Sequence, residues 1–164
     1  MAVITDFNQI VDLVKKQQIA YLQHPVLGPI LRPRPPGGYF SLFENNTKKL
    51  VRPPALIVPF EDQGRALICR NLSIENGSRL LAHPGHVLSR QSGNKAKLTY
   101  AGAVKGVRFT GSYVGDPSHI DELRMIALLV RIGDMTKKRA NEILTQLPNE
   151  YVRVYTVVEP FLID

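Results

Sequence analysis

The sequence has one cysteine, no tryptophan and no long hydrophobic run. A single cysteine, Cys69, excludes an internal disulfide and favours a reducing compartment. The longest apolar run, Met125 to Val130, is far shorter than the roughly 20 residues needed to cross a bilayer. The N-terminal residues lack the basic start and apolar stretch of a secretory signal. We therefore expect no membrane span, and a location in the cytoplasm or within an intracellularly assembled particle.

Signatures of catalysis and of cofactor binding are missing as well. No Gly-x-Ser-x-Gly, glycine-rich phosphate loop or His-Glu-x-x-His pattern occurs. His83 and His86 could share a metal ion, but a zinc site needs further ligands and no spacing indicates them. Cys69 falls in an apolar segment, where a free cysteine is usually a buried hydrophobe, and the acids Asp121 and Glu122 suit the first turn of a helix. We predict no catalytic residue, no metal and no cofactor, with a small enzyme of unknown class kept as an alternative.

The composition that is present is ordinary for a folded domain. Of the 164 residues, 44% are hydrophobic and 21% are charged, which argues against disorder and fits one domain. We predict a single α+β domain with four parts: a helix over 1–23, an extended arm over 24–54, a β-rich body over 55–115, and a helix–helix–strand unit over 116–164.

The two N-terminal parts differ in proline content. Phe7, Ile10 and Val14 recur at three- and four-residue spacing behind Thr5 and Asp6, either of which can cap a helix, and this pattern predicts an amphipathic helix. Five prolines then fall between Pro25 and Pro36. Because proline restricts both its own backbone and that of the preceding residue, this segment is predicted to be extended, as a proline-rich arm.

The middle of the chain is predicted to be rich in strands. Two apolar runs, Ala55–Phe60 and Arg65–Cys69, flank Glu61–Gly64, which predicts a hairpin. Further short segments alternate with turn residues at roughly ten-residue intervals, which favours a small barrel or a sandwich. These segments are Arg79–Ala82, His86–Ser89, Lys97–Ala101 and Val104–Thr110.

The C-terminal part changes to helical periodicity. Ser118 is the predicted cap of a first helix, and Gly133 is suited to its C-terminal end. A second helix is predicted after Thr136 and ends at Pro148. The alternation over Tyr151 to Val158 predicts a closing strand.

Positive charge is concentrated in the predicted β-rich body. Between Gln63 and Gly115 there are eight basic residues and one acid, whereas from Asp116 onward six basic residues face eight acids. This asymmetry favours an acidic partner or a nucleic acid, and Lys137–Arg139 would open the second helix of a helix-turn-helix. The predicted binding residues are Arg65, Arg70, Arg79, Arg90, Lys95, Lys97, Lys105 and Arg108.

The leading functional hypothesis is a non-enzymatic structural or adaptor subunit of a larger assembly, such as a virus-like or multi-subunit particle. Its partners would be other subunits or copies of itself, so a homo-oligomer is expected, because a restricted arm loses little entropy when it is ordered on a neighbour. The alternative is a protein that binds RNA or DNA through the basic region. The arm residues predicted to contact partners are Pro29, Arg32, Pro33, Arg34, Pro35, Pro36 and Tyr39.

Overall fold

A computed structural model describes residues 3–94 and 101–148 of the chain. The described residues form five α-helices, a 3-10 helix and a five-stranded sheet, so the predicted α+β class is confirmed. In chain order the elements are α1 Phe7–Gln23, α2 Gly28–Leu31, β1 Gly38–Glu44, β2 Lys49–Leu50, β3 Ala55–Val58, α3 Gln63–Leu81, the 3-10 helix Ser89–Ser92, β4 Ala103–Lys105, β5 Phe109–Val114, α4 Ser118–Arg131 and α5 Lys137–Thr145.

The sheet is antiparallel and open, with the order β2-β1-β5-β4. Strand β1 is central: one edge pairs with β5 from Tyr39–Val114 to Glu44–Phe109, and the other edge pairs with both β2 and β3. No strand among the described residues joins the two ends of this order. The described sheet is therefore neither the barrel nor the sandwich that the strand spacing predicts.

One face of the sheet is covered by α3 through small side chains. The hydroxyls of Ser41 and Ser73 lie 2.8 Å apart and are buried. A Cβ on Gly77 would lie 2.1 Å from the ring of Phe43, so the helix backbone approaches the strand as closely as a glycine allows. Helix α3 therefore lies close to the sheet, and this layer is stabilised by the close packing of small residues.

The opposite face is covered by α1 and α4 through large apolar side chains. Phe40 and Leu42 from β1 belong to a buried cluster with Ile10 of α1 and Leu123 of α4. Every residue of α4 from Ile120 to Val130 is buried. The main hydrophobic core therefore lies between the sheet and these two helices.

The predicted terminal helices are confirmed, and their ends follow known capping chemistry. Asp6 accepts a hydrogen bond from the backbone N–H of Gln9, and Thr136 accepts one from Arg139. The first C-terminal helix begins at Ser118 itself, with Pro117 as its cap, so the prediction of Ser118 as the cap is one residue too late. Gly133 has a φ of 81°, which suits the end of α4.

Two of the predicted strands are wrong. Arg65–Cys69 and Arg79–Ala82 fall on α3 or its C-terminal cap, not on strands. The helix begins because Asp62 accepts hydrogen bonds from the backbone N–H groups of Gly64 and Arg65.

Other strand predictions need smaller corrections. Val104–Thr110 is divided between β4 and β5, and the Asp134 carboxylate accepts the backbone N–H of Arg108 at the turn between them. His86–Ser89 contributes an isolated bridge from Leu88 to Val104 and the first residue of the 3-10 helix. Of the predicted strand Lys97–Ala101, only Ala101 lies within the described residues, and Tyr151–Val158 lies outside them.

The extended arm predicted over 24–54 is also corrected. Its first half turns through α2, where Pro29 occupies the first turn and so costs no internal hydrogen bond, while Leu27 and Leu31 are buried in the main core. Its second half supplies β1, the central strand. Within the described residues, no helix is long and apolar enough to span a membrane.

Candidate functional site

Two of the predicted basic residues bind other parts of the chain. Arg65 donates to the carbonyls of Pro36 and Gly115 at 3.0 and 2.9 Å, and its guanidinium carbon lies 5.2 Å from the ring centroid of Phe60. Arg79 makes an ion pair with the Glu75 carboxylate at 2.5 Å. Both guanidinium groups are half-buried and engaged, so their charge is not freely presented to a partner.

The remaining described members of that set lie on different elements. Arg70 is half-buried on α3, and Arg108 is exposed with its guanidinium carbon 5.2 Å from the centroid of Phe109. Arg90 and Lys105 line two neighbouring cavities beside α5. Lys95 and Lys97 lie outside the described residues.

The predicted arm residues remain largely on the surface. Tyr39 is half-buried and stacks on Phe60 at 5.6 Å between ring centroids. Arg32 donates to the carbonyl of Leu22 at 2.6 Å, which ties the segment back to α1. The exposed members are Pro29, Arg32, Pro33, Arg34, Pro35 and Pro36.

Helix α3 has apolar residues on its solvent side as well as its sheet side. Leu67 and Ile68 are each 60% exposed, and the exposed Asn71 lies one turn further along. We call Leu67, Ile68 and Asn71 the α3 outer surface. A helix that is apolar on both sides is normally covered on both, so this surface is a candidate contact site.

A group of buried polar residues surrounds Arg124, which is itself fully buried in α4. Its Nη2 donates to Asp116 at 2.5 Å and to Gln18 of α1 at 2.7 Å. Its guanidinium carbon also lies 4.0 Å from the ring centroid of Tyr113 and 5.1 Å from that of Tyr21. Arg124 therefore links α1, β5 and the start of α4 from inside the core.

Two acids on the same helix are also buried. Asp121 is 2% exposed and accepts hydrogen bonds from the backbone N–H groups of Gly115 and Asp116 at 3.4 and 3.2 Å. Burial holds the pKa of Asp121 well above its ordinary value, and the neighbouring Asp116 carboxylate raises it further. Burial also raises the pKa of Glu122 to about 8, against the opposing effect of Arg90.

Sequence reasoning missed this buried group. Asp121 and Glu122 are predicted only as acids that suit the first turn of a helix, and that position carries no indication of burial. The signal that could have found them is the apolar run that follows directly, Met125 to Val130, which leaves no polar side to the helix. A cavity of about 160 Å³ lies beside Asp121, with room for a few waters at roughly 30 Å³ each.

The residues considered for metal or thiol chemistry are placed as follows. The rings of His83 and His86 stack with centroids 4.8 Å apart, and within 3–94 and 101–148 no group of three possible ligands forms around them or elsewhere. Burial raises the pKa of the Cys69 thiol, against the opposing charge of Arg65. A raised pKa makes this thiol less reactive than an exposed cysteine thiol with an ordinary pKa.

Comparison with known protein families, curated proteins and solved structures finds no match for this chain. Its function is therefore inferred from its exposed surfaces and its buried groups.

Proposed function

We propose that this protein is a non-enzymatic structural subunit that assembles with copies of itself. The contact is formed by the α3 outer surface together with the proline-rich segment 25–36. The observation that carries this proposal is the exposure of Leu67 and Ile68, 60% each, as adjacent large apolar side chains on a helix whose other side already covers the sheet.

The two parts of the proposed contact adjoin one another. Arg65 lies one turn before Ile68 on α3 and donates to the carbonyls of Pro35 and Pro36 at 3.4 and 3.0 Å. The end of the proline-rich segment therefore meets the first turn of the helix. That segment adds its own exposed apolar side chains, Val26 and Ile30.

The α3 outer surface suits contact with a second copy. Across a two-fold axis, the same patch faces itself, so Leu67 and Ile68 of one copy would cover the same pair on the other. Removing such side chains from water stabilises a complex by roughly 1–2 kcal/mol each when they are only partly buried beforehand. The lone cysteine is buried and can form no disulfide within the chain, which is consistent with a cytoplasmic location for the assembly.

The experiment compares the molar mass in solution of the wild type and of the double variant Leu67→Glu, Ile68→Glu. We expect the wild type to have a mass of two or more chains by size exclusion with light scattering, and the variant to have the mass of one. The matched control is Val107→Glu, because Val107 is 85% exposed on the turn between β4 and β5, at the end of β5 that is remote from Gly115 and the first turn of α3.

Circular dichroism establishes that all three proteins are folded. A wild type that stays at the mass of one chain up to its solubility limit contradicts the proposal. Equal dissociation of the Val107 control also contradicts it, because the contact would then not lie at α3.

A further inference from the structure

Two turns lie side by side at one end of the sheet, and each has a lysine beside it. Asn45, in the turn between β1 and β2, donates through its side-chain amide to the carbonyls of Gly106 and Val107 at 3.0 and 3.2 Å. Those carbonyls belong to the turn between β4 and β5. Lys48 ends the first turn, and Lys105 is the last residue before the second. Burial lowers the pKa of Lys105 and the charge of Lys48 lowers it further, so the two ammonium groups are neighbours.

A cavity adds a third cation at the same end of the sheet. It has a volume of about 240 Å³, and both Lys105 and Arg139 of α5 line it. Arg139 pairs with Glu142 at 3.5 Å, with about half of each side chain exposed, and such a pair contributes little. A turn, a strand and a helix therefore each supply one cation. We call Lys48, Lys105 and Arg139 the cationic cluster.

The acids at this end of the sheet offset the cluster only in part. Asp134 lines the same cavity, but its carboxylate accepts two backbone N–H groups where β5 begins, both at 2.9 Å. Glu44 lies opposite Lys49 in the pairing of β1 with β2. Among residues 3–94 and 101–148, no ion pair joins Lys48 or Lys105 to an acid. The cluster is therefore able to attract anionic groups.

The loop after α3 brings two imidazole rings beside the cluster. Lys105 donates to the carbonyl of His83 at 3.3 Å, which occupies one of its ammonium donors and leaves the others. The rings of His83 and His86 stack with centroids 4.8 Å apart and 5° between their planes. His86 lines the cavity together with the polar Thr136 and with apolar side chains such as Met135, whereas His83 is exposed. The exposed ring offers a π-face to a further planar group.

The arrangement of these groups indicates the kind of partner. Cations on three separate elements fit the repeated phosphates of a nucleic acid better than they fit one isolated anion. The cavity is smaller than the roughly 300–1,000 Å³ of a site that encloses a drug-sized molecule, so a small ligand is not the better fit. An exposed aromatic ring can stack on an unpaired base, whereas the bases of a duplex already stack on one another.

We propose that this end of the sheet binds a single strand of nucleic acid. Lys48, Lys105 and Arg139 contact its phosphates, and one base stacks on the exposed ring of His83. The contact covers only a few nucleotides, because the cluster spans just the two turns and the start of α5. This function is additional to self-assembly, since none of these residues belongs to the α3 outer surface or to the segment 25–36.

The experiment measures binding of a fluorescein-labelled oligouridylate of about 12 nucleotides to the full chain by fluorescence anisotropy, over a range of salt concentrations at pH 8. Three phosphate contacts on a single strand predict a slope of about −2 in log affinity against log salt concentration. A wild type that circular dichroism shows to be folded, and that does not bind at low salt, would overturn the proposal.

Single substitutions in the cationic cluster test the phosphate contacts. Each is expected to weaken binding about three- to tenfold and to reduce the salt slope by about 0.7, because each removes one phosphate contact. The variants are Lys48→Gln, Lys105→Gln and Arg139→Gln.

The matched control is Lys16→Gln, which removes one charge from an exposed position on α1. Lys16 lies two residues before Gln18, whose side chain meets Arg124 beside Asp116, just after the end of β5 that is remote from the two turns. We expect its affinity to stay within about twofold of wild type. Equal losses in this control and in the cluster variants would overturn the proposal, since affinity would then follow net charge alone.

The stacking contact is tested by His83→Ala and His83→Phe. The alanine variant is expected to weaken binding about tenfold with an unchanged salt slope, because it removes a π-face and no charge at this pH. The phenylalanine variant is expected to restore the affinity. A phenylalanine variant as weak as the alanine variant would contradict a base stacked on this ring.

Competition separates a single strand from other polyanions. Polyglutamate of similar total charge is expected to displace the oligouridylate at least tenfold less well, because it has no bases to stack. Equal displacement by polyglutamate would replace the nucleic acid with an acidic protein as the partner. A duplex of the same length that competes more strongly than the single strand would also overturn the proposal.

Discussion

The two faces of the sheet are covered in different ways. On the α1–α4 face, large apolar side chains enclose a buried arginine and its carboxylate partner. On the α3 face, a pair of serines and a glycine bring the helix against β1, and two large apolar side chains of α3, Leu67 and Ile68, point to solvent. The first layer is stabilised mainly by burial, and the second mainly by close fit.

This difference suggests that one side of the sheet mainly determines stability and that the other offers a surface for contact with a partner. The α4 side has no exposed face left, since Ile120 to Val130 are all buried, so it offers little to a partner. On the α3 side, small residues of the helix pack against the sheet, and Leu67 and Ile68 are exposed to solvent. Substitutions on the first side should therefore change the free energy of unfolding most, and substitutions on the outer surface of the second should change assembly.

The largest loss of stability is expected from Arg124→Met. Asp116, whose side chain is 9% exposed, would lose its cation, and breaking a buried pair from one side costs about 3–5 kcal/mol. Urea unfolding gives the change in free energy. Arg131→Met, at the less buried end of the same helix, is expected to stay within about 0.5 kcal/mol of wild type. Similar values for the two variants would show that the buried pair does not support the α4 layer.

A pH-dependent effect is expected from Glu122→Gln in the same layer. Because the folded pKa is raised, the folded chain keeps a proton that the unfolded chain loses, and wild-type stability falls as the pH rises from 4.5 to about 8. Glutamine removes this contribution, so the variant should gain roughly 2–4 kcal/mol relative to wild type across that window. Urea unfolding at both ends of the window measures the slope. Parallel wild-type and variant slopes would contradict a buried, protonated Glu122.

The close fit on the α3 side is tested by Gly77→Ala. The added Cβ would lie 2.1 Å from a ring carbon of Phe43, so helix and strand must separate. Overpacking costs more than alanine gains in helix propensity, which gives a net loss of about 1–2 kcal/mol. Gly85→Ala is the matched control, because no atom lies within 4 Å of its added Cβ. A stabilised Gly77→Ala variant would contradict the close approach of α3 to Phe43 of β1.

The smallest effect is expected from the serine pair on the same face. Ser73 donates its hydroxyl proton to the carbonyl of Arg70 at 2.7 Å, so Ser41 is the donor between the two hydroxyls. Ser73→Ala therefore leaves a buried donor unsatisfied and should cost about 1 kcal/mol more than Ser41→Ala. A double-mutant cycle should give a coupling of about 0.5–1 kcal/mol. Equal costs for the two single variants would contradict Ser41 as the donor.

The sequence predicts the helices that follow ordinary rules and misses the one that does not. Helices α1, α4 and α5 have apolar residues at helical spacing, and a capping side chain begins α1 and α5. In α3 the buried positions before Leu80 are small or polar, including Ala66, Ser73 and Gly77, while Leu67 and Ile68 point outward. A prediction from large apolar residues therefore follows the exposed side of this helix and not its buried side. Small residues at three- and four-residue spacing behind Asp62 were the available signal.

The candidate sites could be predicted only in part. Arg90 and Lys105 belong to the predicted basic set, but their meeting with Arg139 depends on how the loop after α3 packs beside α5. Arg65 and Arg79 look identical to them in sequence and yet bind the chain itself. Charge composition shows that cations are present, whereas tertiary structure decides which groups each of them contacts.

The buried acids of α4 have a consequence for the thermodynamics of folding. The formal charge of +7 counts every carboxyl as ionised. With Glu122 holding its proton, the native state carries more positive charge than this formula, and the chain takes up protons from its buffer as it folds at neutral pH. The calorimetric enthalpy of folding should accordingly differ between buffers with small and large heats of ionisation.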